Sequence, residues 1–376
     1  MATSAAVLER HTNAITQACA RPDSTTLFES TSAHLRQIVR FDGALWFGTD
    51  PATLLPTAPV RIEENVEPLP NQCTDYWNRE FLVEDVMLYR TLARSTRSAA
   101  TLYASTDGNP TRSARYRQLL RPRGYGDELR AVFRLGPATW GQVDLFRHRT
   151  RSPFTARDVD IVLALAPAIG AALRSLALST ATSPSGDGPG TALYDLAGRL
   201  CSVDERAERW LRELAGPHWN GDGSARLMTA VQAVTARARA IAAGRDRGPA
   251  TSRLRAPSGR WLAVHASCLR DPDGEPTHIA VVIEPAKSAQ IAPIIVEAYG
   301  LTPREQQITQ ALARGMSNLE IANQLHLSAH TVRDHLKATF AKVGVSSRGE
   351  LVAKLFADHY EPQMQAPAAG IVHTEF

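Results

Sequence analysis

The sequence predicts a multidomain protein in which two α+β domains with antiparallel sheets precede an all-α domain of four short helices. A run of Ser, Thr, Gly, Pro and Asp over Ser179–Gly190 divides the first three quarters of the chain into two segments. Both segments combine helical periodicity with short strands and tight turns. After residue 298 the sequence contains only short helices with strong capping signals.

Length and composition limit the protein class. At roughly 100 to 200 residues per domain, 376 residues predict two or three domains. The net charge of +4 is too small to indicate nucleic-acid binding by itself. The four cysteines are far apart and form no C-x-x-C motif, which favours reduced thiols in the cytoplasm. The apolar run Ile161–Leu173 is too short for a membrane span and predicts a buried helix.

The first segment begins with a helix and then forms a sheet. The spacing of apolar residues predicts a helix over Leu27–Val39, a strand over Gly43–Gly48 and a hairpin within Leu129–Phe146. Thr155 and Asp158 are placed to cap a final helix. This order of elements resembles a GAF domain, which implies a sensor function.

Aromatic residues are concentrated in the first segment, between Trp46 and Tyr125. Such residues can form an ordinary core, or they can line a pocket for a small molecule. The candidate pocket residues are Trp46, Tyr76, Trp77, Tyr89 and Tyr103.

The second segment follows a β-β-α-β-β-β order, with helices between Asp204 and about Ala243. The predicted strands are Ala192–Leu196, Arg199–Val203, Thr251–Ala256, Trp261–Arg270 and Thr277–Glu284. This order resembles a PAS domain, although the Asn common near position 204 in that family is absent.

Three capping boxes mark the C-terminal helices: Thr302 with Glu305, Ser317 with Glu320, and Ser347 with Glu350. They predict helices over residues 303–314, 318–325, 329–343 and 348–358. Only three residues, 326–328, separate the second helix from the third, which is helix-turn-helix spacing. Capping and spacing alone would also fit a helical bundle that does not bind DNA.

The runs Leu301–Glu305, Gly315–Leu327 and Ser328–Gly344 resemble the LuxR-type (LuxR/GerE) helix-turn-helix domain almost throughout. The resemblance implies a transcription regulator that binds double-stranded DNA as a homodimer. Its third helix would read DNA and its fourth would pair two subunits. RNA polymerase is a candidate further partner, and no membrane is expected.

The resemblance and a helical wheel of the third helix together assign contacts. Base contacts are expected from Arg333, Asp334 and Lys337. Contacts to the DNA backbone are expected from Ser328, Thr331, His335 and Lys342. The dimer helix would use Leu351, Val352 and Leu355. An acid facing DNA is unfavourable unless it accepts a hydrogen bond, for which a cytosine amino group is suited. The alternative is that these residues are solvated charges on an exposed helix.

The predicted boundaries follow from these patterns. They are a GAF-like domain over 1–178, a linker over 179–190, a PAS-like domain over 191–287, a coupling segment over 288–298, the helix-turn-helix domain over 299–360 and a disordered tail over 361–376.

Several motifs are missing. There is no G-x-x-x-x-G-K phosphate loop, no receiver-type βα alternation and no metal-ligand cluster. Neither a cofactor nor a metal is therefore expected. An unknown small-molecule ligand is still compatible with the sequence. Three hypotheses follow: a sensor-controlled transcription factor, the same DNA-binding domain behind a ligand-free interaction module, and an enzyme tethered to DNA. The last lacks any catalytic motif.

Overall fold

The computed structural model describes residues 2–63, 72–178, 188–215, 225–286, 290–291, 294, 297–352 and 354. The chain forms two compact units, one of residues 1–176 and 188–285, the other of residues 177–187 and 286–376. The predicted tail, Leu355, most of the linker and most of the coupling segment lie outside the described residues.

The first sheet of unit 1 is fully antiparallel, with strand order β2-β1-β5-β4-β3. Its strands are β1 (Gly43–Thr49), β2 (Pro56–Glu63), β3 (Ala99–Thr101), β4 (Tyr125–Leu135) and β5 (Ala138–His148). The predicted hairpin corresponds to β4 and β5, which pair directly. Because β4 and β5 are antiparallel neighbours joined by a short turn, a local sequence pattern was enough to predict this hairpin.

Helices cover both faces of this sheet. They are α1 (Ala2–Ala20), α2 (Leu27–Val39), α3 (Gln72–Leu82), α4 (Tyr89–Leu92), α5 (Leu102–Ser105) and α6 (Ala156–Ala177). On one face the ring of Trp46 packs 5.5 Å from that of Phe28 in α2. On the other face the ring of Phe47 lies 5.6 Å from that of Trp77 in α3. The sheet is therefore sandwiched.

Helix α6 is the predicted buried helix. The predicted cap at its start is confirmed, because the Thr155 amide donates to Asp158 and the Asp158 amide to Thr155 Oγ1. By length and composition alone α6 could cross a membrane. However, one of its sides is buried, and Leu173 lies so close to Gly141 of β5 that a larger residue at 141 would collide with it. Packing on the sheet accounts for its apolar face.

The second sheet has strand order β7-β6-β10-β9-β8 and is also antiparallel. It consists of β6 (Gly190–Asp195), β7 (Leu200–Val203), β8 (Thr251–Arg255), β9 (Trp261–Arg270) and β10 (Pro276–Pro285), with α7 (Glu205–Ala215) and α8 (Ala225–Ala242) between β7 and β8. The predicted β-β-α-β-β-β order is confirmed. Two antiparallel α+β sheets therefore precede the C-terminal helices.

The two sheets pack against each other within unit 1 and are not joined by the linker alone. Their edge strands β2 and β8 meet, and α8 packs against α3. Between them Arg253 forms a two-pronged ion pair with Asp50, with distances of 2.6 Å from Nε and 2.5 Å from Nη2 to the carboxylate oxygens. Both residues are buried. The sheets thus share a polar contact inside one unit.

The described C-terminal helices are α9 (Pro303–Ala313), α10 (Asn318–Leu325), α11 (Ala329–Val343) and α12 (Arg348–Val352). The first two predicted capping boxes are confirmed. In the third, the Glu350 amide donates to Ser347 as predicted, but the Glu350 carboxylate accepts from the Ser346 amide. Helix starts were predictable because each cap is a local hydrogen-bond pattern.

Candidate nucleic-acid interface

The turn between α10 and α11 is short and is held by several hydrogen bonds. His326 ends α10 in the left-handed conformation, with φ of 53°. The Leu327 amide then bonds the Ala322 carbonyl at 2.8 Å, and Ser328 Oγ accepts the Thr331 amide at 3.0 Å. These bonds satisfy backbone groups that a helix end leaves free. The turn therefore fixes the start of α11 relative to α10.

Helix α11 has one buried side and one exposed side. The buried residues are Val332, Leu336, Thr339 and Val343. The three predicted base-contacting residues, Arg333, Asp334 and Lys337, are all exposed. The sequence-predicted reading face therefore lies on the solvent side of the helix, and the same 3.6-residue periodicity that buries one face exposes the other.

Arg333 and Lys337 border an open groove of about 640 Å³ between α11 and the starts of α10 and α12. Its other lining residues are Ser317, Asn318, Leu336, Phe340 and Arg348. Arg348 donates to the Met316 carbonyl, which ties α12 to the turn before α10. Within the described part of the chain, Arg333 and Lys337 make no ion pair, so their charges are available to an anion.

Asp334 lies on the same exposed side but has a partner. His330 Nδ1 is 2.9 Å from Asp334 Oδ2, one helical turn away. The sequence predicted Asp334 on this face but not its pairing with His330, although an i, i+4 spacing of base and acid is the usual signal of such a pair.

The residues predicted to contact the DNA backbone are only partly free. Ser328 and Thr331 bond each other at 2.8 Å through their hydroxyls as part of the α11 cap. His335 is half-buried. Lys342 forms a 2.6 Å ion pair with Glu305 and also donates to the Gly300 carbonyl. In this structure the Lys342 charge is therefore engaged inside the domain.

Glu305 has two structural roles. It completes the α9 capping box by accepting from the Thr302 amide at 2.7 Å, and it accepts the ammonium of Lys342. Burial opposes ionisation of this carboxyl, but the bonds from Lys342 and Thr302 outweigh it and lower the pKa of Glu305. The ion pair thus links α9 to α11.

The predicted dimer helix is described only in part. Leu351 was expected on an intersubunit face, but it is completely buried within its own chain. Its side chain fills the domain core because α12 packs against α9, so it is not free for a second subunit. Val352 is half-buried, and Leu355 lies outside the described residues.

The predicted pocket residues separate into three groups. Tyr76, Trp77 and Tyr89 come together on the α3 side of the first sheet, where the hydroxyls of Tyr76 and Tyr89 are 3.0 Å apart. Trp46 lies on the opposite face of the sheet, against α2. Tyr103 lies on α5 and is largely exposed. Strand alternation explains the position of Trp46, because neighbouring residues on β1 point to opposite faces.

The cavity beside Tyr76 and Trp77 is small, about 30 Å³. That volume holds roughly one water molecule. Its lining is mostly apolar and includes Phe47, Phe146 and, from α8, Thr229. In the described conformation the space between the first sheet and α3 is therefore filled by side chains.

A buried charge cluster lies beside the tyrosines, and sequence reasoning missed it. It consists of Glu80, Arg115, Glu128, Arg130 and Asp144, all nearly inaccessible. Arg130 donates to Glu80 at 2.9 Å and to Asp144 at 3.0 Å, while Arg115 donates to Glu128 at 2.6 Å. The alternation of Gln142 and Asp144 with apolar neighbours is typical of a strand with one exposed face, but here both faces are covered.

The protonation of this cluster follows from burial. Burial and the neighbouring charge of Glu128 raise the pKa of Asp144 well above its usual range. Burial also disfavours the charged form of Glu128, but Arg115 and Arg130 outweigh it and lower the pKa of Glu128 to about 2. Within the cluster, burial therefore favours the protonated form of Asp144, while the two arginines favour the charged form of Glu128.

A family model described as bacterial regulatory proteins of the luxR family matches residues 300–355. These residues contain the whole turn and all of α11. The C-terminal helices form a LuxR-family domain. The match confirms the resemblance stated from sequence for this part of the chain, and it assigns the domain to a family of transcription regulators rather than of enzymes.

The curated relatives described next match only a small part of this chain. The probable transcriptional regulatory protein SgaR of Hyphomicrobium methylovorum is 47% identical over 53 residues, which are 14% of this chain and 25% of SgaR. The probable HTH-type regulator GfsR of Streptomyces halstedii is 31% identical over 96 residues, covering 25% of this chain and 40% of GfsR. The chain therefore spans about a quarter to two fifths of the length of these relatives.

Solved structures resemble the chain only weakly. Escherichia coli SdiA is 12% identical, covering 92% of this chain and 94% of its own, with a TM-score of 0.28. The Vibrio cholera VqmA-ligand-DNA complex is 18% identical, covering 47% and 84%, with a TM-score of 0.24. At these TM-scores the likeness says nothing about unit 1. The function is inferred from the LuxR-family domain.

Proposed function

We propose that the chain is a sequence-specific, DNA-binding transcriptional regulator of the cytoplasm. The observation that carries this proposal is the exposed face of α11, with the exposed cations Arg333 and Lys337, inside the LuxR-family domain. A helix-turn-helix presents its second helix to the major groove, where arginine and lysine recognise guanine O6 and N7. No enzymatic activity is proposed.

Roles follow from position on the domain. Arg333, Asp334 and Lys337 contact bases, while Ser328, Thr331 and His335 lie at the start or along the edge of α11 and contact the DNA backbone. Lys342 was a backbone candidate by sequence. Its ion pair with Glu305 favours a structural role instead.

The DNA-bound form is a homodimer in this proposal. Val352 of α12 and Leu355 contribute to the contact, and a two-fold axis implies an inverted-repeat operator with half-sites about one helical turn apart. RNA polymerase remains a candidate partner.

Unit 1 modulates DNA binding as a sensor built from a GAF-like and a PAS-like domain. Tyr76, Trp77 and Tyr89 are the pocket residues that remain grouped. The filled space beside them favours the second candidate, in which unit 1 is a ligand-free interaction or dimerisation module. Mass spectrometry of the native purified chain distinguishes the two, because a retained small molecule supports the sensor and a bare chain supports the module.

The DNA-binding proposal is tested by selecting duplexes from a random library with the full chain and sequencing the bound pool. Enrichment of an inverted repeat supports a dimeric reader. Enrichment of a lone, asymmetric half-site contradicts dimeric binding, and a pool indistinguishable from the input contradicts sequence-specific binding altogether.

A further inference from the structure

The acid on the DNA-facing side of α11 is held by a histidine. His330 and Asp334 are 76% and 66% exposed, and their side chains meet at 2.9 Å. Arg333 and Lys337 flank Asp334 in sequence, yet among the described residues His330 is the one that forms its ion pair. The orientation of this carboxylate therefore depends on His330 rather than on the two neighbouring cations.

The chemistry of the contact determines which of the two side chains carries the hydrogen. Nδ1 faces Oδ2 at 2.9 Å, and this nitrogen must carry the hydrogen, because its lone pair would otherwise face the lone pairs of an ionised carboxylate. The other ring nitrogen, Nε2, then points away from Asp334. An unrestrained aspartate would sample several rotamers next to a polyanion, whereas one attracted to the neighbouring His330 samples fewer, which limits the directions of its second oxygen.

We propose that His330 is a positioning residue that aims the Asp334 carboxylate at a cytosine amino group in the major groove. The inference rests on the proposed function, since it assumes that α11 reads bases. Part of the sequence preference would then be set by a residue that contacts no base. Because exposed ion pairs are weak, loss of His330 is expected to reduce the preference for cytosine about two- to fivefold rather than abolish it.

The test uses the library selection with the full chain and four variants: His330→Ala, His330→Asn, Asp334→Asn, and His330→Ala combined with Asp334→Asn. The asparagine amide can donate from nearly the same place as Nδ1. We expect His330→Ala to weaken the cytosine preference at one position of each half-site, and His330→Asn to restore it. The double variant should match Asp334→Asn alone, because the histidine acts only through the acid.

The outcomes separate the inference from the proposed function. If the wild type enriches an operator but His330→Ala keeps the full cytosine preference, the inference is wrong and the function stands. A uniform loss of affinity for all sequences that His330→Asn does not repair would also overturn it, since that result is typical of a phosphate contact. A wild type that enriches no sequence overturns both. Equal melting temperatures of the wild type and the four variants show that the substitutions do not act through folding.

Discussion

Single residues in unit 1 show how charge can be buried at low cost. Two arginines and three acids lie together in the cluster beside Tyr76, where a lone charge would be strongly unfavourable. Burial raises the pKa of both Glu80 and Asp144, whereas Arg115 and Arg130 keep that of Glu128 low. Tyr76 donates to the same Asp144 oxygen that accepts from Arg130.

We predict that Asp144→Asn is tolerated and is more stable than the wild type at pH 8. The folded state holds the Asp144 proton more tightly than the unfolded chain does, because the pKa of Asp144 is raised. The contribution of Asp144 to wild-type stability therefore falls as pH rises above about 4, the ordinary aspartate value. The amide has no proton to lose, so its advantage should grow between pH 5 and 8 in urea unfolding curves.

The matched control is Glu128→Gln, which removes the charge that neutralises Arg115 and Arg130. It should cost about 3 kcal/mol or more, because it leaves buried cations without their anion. If both variants lost stability equally at pH 8, Asp144 would have to be ionised in the folded protein.

Lys342 allows a second prediction at this scale. Lys342→Gln removes the ion pair with Glu305, so hydrogen exchange in α9 and α11 should accelerate by an amount equivalent to about 1 kcal/mol. The salt dependence of DNA binding should stay unchanged, because no phosphate contact is lost. If hydrogen exchange were unchanged and the salt dependence of DNA binding in the variant had a slope smaller by about one, Lys342 would instead contact a DNA phosphate.

At the scale of elements, predictability from sequence depended on whether the signal is local. Helix starts such as Thr302 and Ser317 were predicted because the cap and its acid lie three residues apart. The Asp50–Arg253 pair joins residues separated by about two hundred positions. No periodicity reports such a contact, so the sequence indicated two segments and a linker but not the packing of β2 against β8.

We predict that Arg253→Ala lowers the free energy of unfolding of unit 1 by about 3 to 5 kcal/mol, because it leaves Asp50 buried without its partner. All six tryptophans lie between residues 46 and 261, so their fluorescence during denaturation reports on this unit. Combining the change with Asp50→Ala should recover part of the loss. A single variant that unfolds at the wild-type denaturant concentration would show that the pair does not join the sheets.

At the scale of the whole molecule, the sequence was most informative where a family signal and local structure coincide. The domain at residues 300–355 was identified from the sequence together with the exposed side of α11, since one helical period is enough to separate buried from exposed positions. The positions of the candidate pocket residues in unit 1 were less predictable. Which face of a strand an aromatic residue such as Trp46 occupies depends on the sheet register, and the sequence alone left that register open.

The central claim is that α11 reads DNA sequence through Arg333, Asp334 and Lys337. The most direct measurement is a binding titration of the full chain and its variants, at fixed salt, on a library-selected duplex and on its scrambled counterpart. We expect Arg333→Ala and Lys337→Ala each to weaken binding to the selected duplex by about 1 to 3 kcal/mol, and Asp334→Ala to narrow the difference between the two duplexes. Unchanged specificity in all three variants would contradict the assignment of the reading face.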